Sequence, residues 1–347
     1  MKTWENRKKV LKAVSRYDGV SSKDIHVALE PEVSYSTVKR VLNDLLGTDY
    51  LTKEGEGKAT KYSLSKVYSL VFPIELEEYF SKEQDEREIN KRFNFDLIEN
   101  VLPSISLFNT AESAKFQAVQ NDFLTKVKEL SDYEYEKELE RLAIDLSWKS
   151  AQIEGNTYSL LETEQLLKEK KTAAGKTKDE AVMLLNHKDA LDFIFAEKDY
   201  FENLTIAKIE EIHSLLTKEL PVNRNIRKRR VGISGTNYVP LDNEFQIREA
   251  LEKSCTLINL KENAFEKAFL TLILLSYIQA FNDGNKRTAR ILSNAILLQN
   301  DYCPISFRTV DSIDYKKAML VFYEQNNVSC IKDIFMEQFE FAVRTYF

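Results

Sequence analysis

Glycine and proline are scarce in this chain, at nine and six among 347 residues. So few backbone breakers exclude a collagen-like or linker-like polymer, and the abundant Lys, Glu, Leu and Ile favour helices. Cysteine and histidine are just as thin. Cys255, Cys303 and Cys330, with His26, His187 and His213, lie scattered with no zinc-like spacing and no disulfide framework, so buried thiols in a reducing compartment are expected. No apolar run spans a membrane. The longest, around Phe269–Tyr277, is too short, and the first residues lack the apolar core of a signal peptide. A cytoplasmic protein without membrane attachment is therefore expected. Nor is positive charge in surplus: a net charge of −6 excludes a chain that coats nucleic acid along its whole length.

What is present is a soluble composition, 43% hydrophobic and 30% charged, long enough for two or three domains. The charge is uneven. Residues 1–66 hold 13 Lys and Arg against 9 Asp and Glu, a surplus of +4, which leaves −10 on the remainder. Within residues 1–66, Glu5–Arg16 has helical apolar spacing, Ser21-Ser22-Lys23-Asp24 opens a second helix, and Ser34-Tyr35-Ser36-Thr37 opens a third. Gly47 stops the third helix. Tyr50–Lys53 and Thr60–Leu64 then read as two strands around a Gly-containing tip. This order resembles a winged helix-turn-helix domain, with Lys39 and Arg40 on the helix that would meet DNA. Acidic Asp44, Glu54 and Glu56 keep a second reading open, a module that docks protein instead.

Residues 67–110 read as a charged helical connector, with Glu75–Asn90 expected to form a solvated helix. Residues 111–347 read as a helical body. In it, the amphipathic helix Glu134–Ile153 ends in Ser150-Ala151-Gln152-Ile153-Glu154-Gly155, which puts Ser150 and Glu154 on one face, with Gly155 able to supply a left-handed stop. Alternation on either side of Gly235-Thr236-Asn237, across Arg227–Pro240, predicts a β-hairpin. His187 and His213 sit at helical spacing and read as packing residues.

The segment Gln279-Ala280-Phe281-Asn282-Asp283-Gly284-Asn285-Lys286-Arg287-Thr288-Ala289-Arg290 lies between two apolar helical runs, about 264–278 and 289–298. Free amides and a positive dipole at a helix start favour an anion. Gly284 permits close backbone approach, Arg287 and Arg290 offer forked donors for phosphate oxygens, and Asp283 can hold a divalent cation. Basic residues in a first helical turn are disfavoured unless an anion is present, so a polyphosphate site explains the pattern best.

This loop resembles the Fic (Fido) signature H-x-F-x-[D/E]-G-N-[G/K]-R-x-x-R, departing only at Gln279, where the family has histidine. Upstream, Ser150 and Glu154 match the inhibitory motif [S/T]-x-x-x-E-[G/N], and the Arg227–Pro240 hairpin resembles the flap over the nucleotide site. The resemblance covers about residues 111–347. It implies a mainly α fold, a helical bundle with one β-hairpin flap, preceded here by the small winged-helix domain. It implies ATP and Mg²⁺ as cofactors and AMP transfer to a Ser, Thr or Tyr hydroxyl on a loop of a protein target. Asp283 would hold the metal; Gly284, Asn285, Lys286, Arg287 and Arg290, with flap residues Gly235, Thr236 and Tyr238, would hold the nucleotide. Glu154 would pair with Arg290 and displace the γ-phosphate. Lys286 is Gly in most AMP-transferring members and Lys in Doc-type toxins that transfer phosphate, which leaves the reaction type open. Two functions follow: a transferase weakened by Gln279, or a nucleotide-responsive DNA-binding regulator that uses a Fic core as sensor. A homodimer is compatible with either.

Overall fold

The computed structural model describes residues 2–16 and 19–347. The chain divides into two compact units, one reaching Pro73 and including Ile105–Asn109, the other holding Ile74–Ser104 and Thr110–Phe347. In the first unit, helices α1 (Lys2–Val14), α2 (Ser22–Leu29) and α3 (Tyr35–Gly47) precede strands β1 (Leu51–Glu54) and β2 (Lys61–Leu64) and a one-turn helix α4 (Tyr68–Val71). Ser21 accepts from the Asp24 amide at 3.2 Å and Ser34 from the Thr37 amide at 3.3 Å, so both N-caps expected from the sequence form. The strands pair antiparallel with Leu51 opposite Leu64, the one sheet among the described residues. Val38, Val41, Leu42 and Leu45 of α3 close over Val10, Leu11, Val14 and Ile25. Each fully buried aliphatic side chain of this kind contributes about 1.5–3 kcal/mol.

The second unit is helical: α5 (Leu76–Tyr79), α6 (Thr110–Glu129), α7 (Asp132–Ile153), α8 (Leu160–Glu169), α9 (Lys178–Ala196), α10 (Ile206–Leu216), α11 (Glu244–Leu260), α12 (Ala264–Ile278), α13 (Asn285–Gln299), α14 (Ser312–Gln325) and α15 (Ser329–Tyr346). Capping boxes at Ser131–Glu134, Ser159–Glu162 and Thr177–Glu180 start α7, α8 and α9. The antiparallel pair α12 and α13 is the centre of the bundle. Every residue of α12 except Lys267 is buried, and every residue of α13 except Lys286 and Gln299. A helix enclosed on all faces must be apolar all round unless its polar groups are held by partners. That is why the polar start of α13 stands out. No helix among the described residues is long and apolar enough to cross a membrane.

Two expectations about secondary structure fail. The charged stretch Glu75–Asn90 is not one helix; it holds the single turn α5 and a 3-10 turn at Gln84–Glu86. Its charges are not all solvated either, because Arg87 pairs with Glu324 in the interior of the unit. Residues 74–104 therefore pack as part of the helical body, while 67–73 complete the first unit, so 67–110 is not a separate connector. The flap also forms no β-hairpin. Between Arg227 and Pro240 no two-stranded ladder is present; Val239 instead makes an isolated parallel bridge with Arg92, its amide donating to the Lys91 carbonyl at 2.9 Å. The Arg227 amide likewise donates to the Ala280 carbonyl at 3.0 Å, so the two arms find backbone partners elsewhere rather than in each other.

Candidate functional site

The turn between α12 and α13 is braced from within. Gln279 caps α12 in the left-handed region, φ 53°, and Gly284 opens α13 at φ 82°. Asn285 reaches back across the turn, accepting from the Phe281 amide at 2.8 Å and donating to the Phe281 carbonyl at 2.8 Å. It also donates to the Gln279 Oε1 at 3.2 Å, and Gln279 Nε2 donates to the Ser276 carbonyl at 2.7 Å. Both ends of the Gln279 amide are thus engaged in holding the turn. Phe281 stacks on His213 at 3.7 Å between ring centres, with the planes 6° apart. The His213 ring nitrogens face the carbonyls of Asp283, at 2.9 Å, and Arg224, at 3.2 Å. Burial holds this imidazole below its ordinary pKa, and the Arg287 charge adds to that against the pull of the two carbonyls. A Cβ at residue 284 would lie 3.3 Å from the His213 ring, so the backbone needs glycine on both conformational and steric grounds. His213 packs, as its spacing suggests, and what it packs against is the turn between α12 and α13.

Opposite the head of α13 stands the C-terminus of α7. Arg290, fully buried, donates through Nη2 to Glu154 Oε1 at 2.8 Å and to the Ser150 carbonyl at 3.1 Å, and through Nε to Ser150 Oγ at 2.9 Å. Lys286 takes the other carboxylate oxygen, Oε2, at 3.2 Å. Burial alone would raise the Glu154 carboxyl. The charges of Arg290 and Lys286, the Arg290 hydrogen bond and the Arg287 charge outweigh it and hold the pKa at about 2. Arg287, also buried, reaches Asp283 at 2.9 Å, and its Nε and Nη1, like Arg290 Nη1, find no protein partner. Three cations in the first two turns of α13, Lys286, Arg287 and Arg290, oppose the helix dipole. Two carboxylates offset them, Glu154 at the end of α7 for Lys286 and Arg290, and Asp283 for Arg287.

This arrangement is a helix N-terminus rich in cations and occupied by a side-chain anion, Glu154. Residues 203–297 match the Fic/DOC family, and residues 5–68 match the penicillinase repressor family. The chain carries a Fic/DOC domain. Among similar proteins are two named protein adenylyltransferase Fic. The one from Nematostella vectensis is 28% identical over 257 residues, 68% of this chain and 58% of that protein. The one from Drosophila yakuba is 30% identical over 168 residues, 46% of this chain and 32% of that protein. The chain thus spans less than two thirds of the length of these relatives. Solved structures share the fold of the Fic body: Fic-1 from C. elegans, with TM-score 0.59, 20% identity and coverage of 68% of this chain and 72% of that one; and a Fic domain containing signaling protein from Bacteroides thetaiotaomicron, with TM-score 0.57, 17% identity and coverage of 66% and 94%. The protein is a Fic-fold helical bundle preceded by a winged-helix-like domain.

The Fic cleft has a volume of about 320 Å³. Its polar floor is Glu154, Gln279 and Asp283–Lys286; its apolar wall comes from Ile153, Met319, Leu320 and Tyr323; Gly232–Ser234 of the flap close it. Asp283 lines the cleft and is largely exposed, so one carboxylate faces the solvent-filled space. That donor set fits Mg²⁺, which binds through one or two carboxylates with water and substrate phosphates. Among the described residues no three acidic, histidine or cysteine groups converge on an all-protein metal site. Of the flap residues expected at the nucleotide, Gly235, Thr236 and Tyr238 do not line the cleft. Tyr238 is buried on Tyr277, ring centres 4.9 Å apart, and donates to the Tyr277 carbonyl, while Thr236 accepts from the Tyr238 amide. The lining arm is Gly232–Ser234, one turn earlier. Two supporting residues carried no sequence signal of their role. Arg227, 2% exposed, donates through Nε to the Gln279 carbonyl at 2.6 Å, and His213 backs the turn from beneath.

Proposed function

We propose that the Fic domain binds ATP with Mg²⁺ in this cleft, that Glu154 occludes the outer phosphate position, and that AMP transfer to a protein hydroxyl is slow because residue 279 is glutamine. The clasp of Arg290 and Lys286 on Glu154 carries the reading. It puts a carboxylate where the helix amides and two cations would otherwise meet a terminal phosphate. Asp283 would hold Mg²⁺, which when bound would neutralise phosphate charge. Asn285 and Gly284 shape the turn, and Arg287 and Arg290, buried outside the cleft lining and paired with Asp283 and Glu154, would supply forked donors once those carboxylates give way.

In AMP transfer the target hydroxyl oxygen bonds to the α-phosphorus, the bond to pyrophosphate breaks, and the hydroxyl proton needs an acceptor. A carboxamide has no useful basicity near neutrality. The Gln279 amide, moreover, spends both its ends on Ser276 and Asn285. Losing a general base costs typically about 10²–10⁴ in rate. Calorimetry of the full chain with ATP and Mg²⁺, before and after Glu154→Gly, tests the binding; absence of binding in both forms overturns the reading.

The N-terminal unit supports a second role, a nucleotide-responsive DNA-binding regulator. Lys39 and Arg40 are exposed on α3, with Lys39 Nζ 4.7 Å over the Tyr35 ring. Asp44, one of the acidic residues that count against phosphate contact, is paired with Arg7. DNA retention with and without nucleotide tests that role.

A further inference from the structure

We propose that Arg87 is a positioning residue of the cleft, clamping the flap through the Gly235 carbonyl so that Gly232–Ser234 stay over the bound ligand. Its link to nucleotide rests on the function proposed above; its geometry does not. The Arg87 and Glu324 side chains are 5% and 0% exposed. Arg87 meets the carboxylate with two prongs, Nη2 to Oε1 at 3.0 Å and Nε to Oε2 at 3.1 Å. The Tyr79 hydroxyl donates to the same Oε2 at 2.6 Å, the Phe80 ring lies 4.9 Å from the guanidinium, and the Asn90 amide donates to the Glu324 carbonyl at 2.8 Å. A guanidinium so held has little freedom left, and its Nη2 donates to the Gly235 carbonyl at 2.5 Å.

Gly235 is the point where the flap turns back toward the body. It is left-handed at φ 84°, and an added Cβ would lie 3.3 Å from Leu320, a wall of the cleft. On the far side of Gly235, Asn237 accepts from Gln84 and donates to Asp85, and the Val239 amide donates to the Lys91 carbonyl. Among the described residues the arm Gly232–Ser234 makes no such bond itself. It is suspended between two arginines: Arg227, fixed to the carbonyls of Gln279 and Ala280, and Arg87, fixed to Glu324. Lysine cannot replace Arg87, because a single ammonium lacks the fork that spans a carboxylate and a carbonyl together.

The test uses the full chain carrying Glu154→Gly, so that the phosphate position is open. Arg87→Lys, and Arg87→Met combined with Glu324→Gln, are compared with it; the double change avoids leaving a buried carboxylate unpaired. Release of a fluorescent ATP analogue with Mg²⁺ is followed by stopped flow, and hydrogen exchange is compared between Tyr238 and Val239, whose amides are hydrogen-bonded to Thr236 and Lys91, and α13. The expected result is release faster by about tenfold, the worth of one charge-assisted hydrogen bond, with faster exchange at Tyr238 and Val239 and unchanged exchange in α13. Release and flap exchange equal to the parent overturn the proposal, and so does exchange that rises equally in α13, which marks a general loss of stability. If the parent binds no nucleotide, the function proposed above fails while the exchange comparison still decides the clamp.

Discussion

Replacing Glu154 by glycine removes the acceptor of two hydrogen bonds, from Arg290 at 2.8 Å and Lys286 at 3.2 Å, and leaves Arg290 its two bonds to Ser150. The magnitude follows from the carboxyl itself. A glutamate that ordinarily titrates at 4.5 and here at about 2 is favoured as the anion by about 3 kcal/mol. A terminal phosphate that takes its place must forgo that stabilisation, which sets a ceiling of about 300-fold on the gain in ATP affinity. Hydration of the released carboxylate returns part of it, so a gain of about tenfold or more is expected, with a smaller gain for ADP. The same substitution leaves a buried guanidinium short of its counter-charge, so the apo variant should melt several degrees lower, about 3 kcal/mol less stable, and saturating ATP should recover the loss by linkage. Titration calorimetry and thermal melts of both forms measure this. Equal ATP affinities in the two forms would refute the claim that Glu154 occupies a phosphate position.

The remaining predictions concern the turn, pH and the N-terminal unit. Gly284→Ala forces a side chain into the left-handed region and against His213, costing about 1–2 kcal/mol in strain; it should lower the melting temperature and abolish nucleotide binding, and a variant that melts and binds like the parent would contradict the close fit seen here. Because the Glu154 pKa is depressed, its contribution is fully present above 4.5 and is lost only as pH falls toward 2, so the affinity ratio between Glu154→Gly and the parent should be flat from pH 5 to 8. A ratio that changes steeply in that window would point to another titrating group. Lys39→Ala with Arg40→Ala should weaken DNA retention and flatten its salt dependence; unchanged retention favours protein docking by the N-terminal unit.

The functional turn was legible because its chemistry is contiguous. Gly284, Arg287 and Arg290 sit at spacings that suit an anion at a helix start, and Ser150 and Glu154, one helical turn apart, meet the same arginine. The N-terminal helices were legible through their serine caps and apolar spacing. What stayed hidden depends on pairs distant in sequence. His213 and Asp283, Arg227 and Gln279, and Arg87 and Glu324 each join separate elements, and no local spacing announces such a contact. The flap misled for a related reason. Its alternation is real, but Arg227 and Tyr238 point into the interior, and its backbone groups pair with Ala280 and Lys91 rather than across a hairpin.

The central claim is an AMP-transferring site that is closed by Glu154 and slowed by Gln279. It is tested most directly by incubating the full chain with Mg²⁺ and ATP labelled at the α- or γ-phosphate and following label on protein. Glu154→Gly alone should show little transfer, and Glu154→Gly with Gln279→His should transfer the α-label at a rate higher by about 10²–10⁴. Label from the γ-phosphate instead, or no label from a double variant that binds ATP normally, would contradict it.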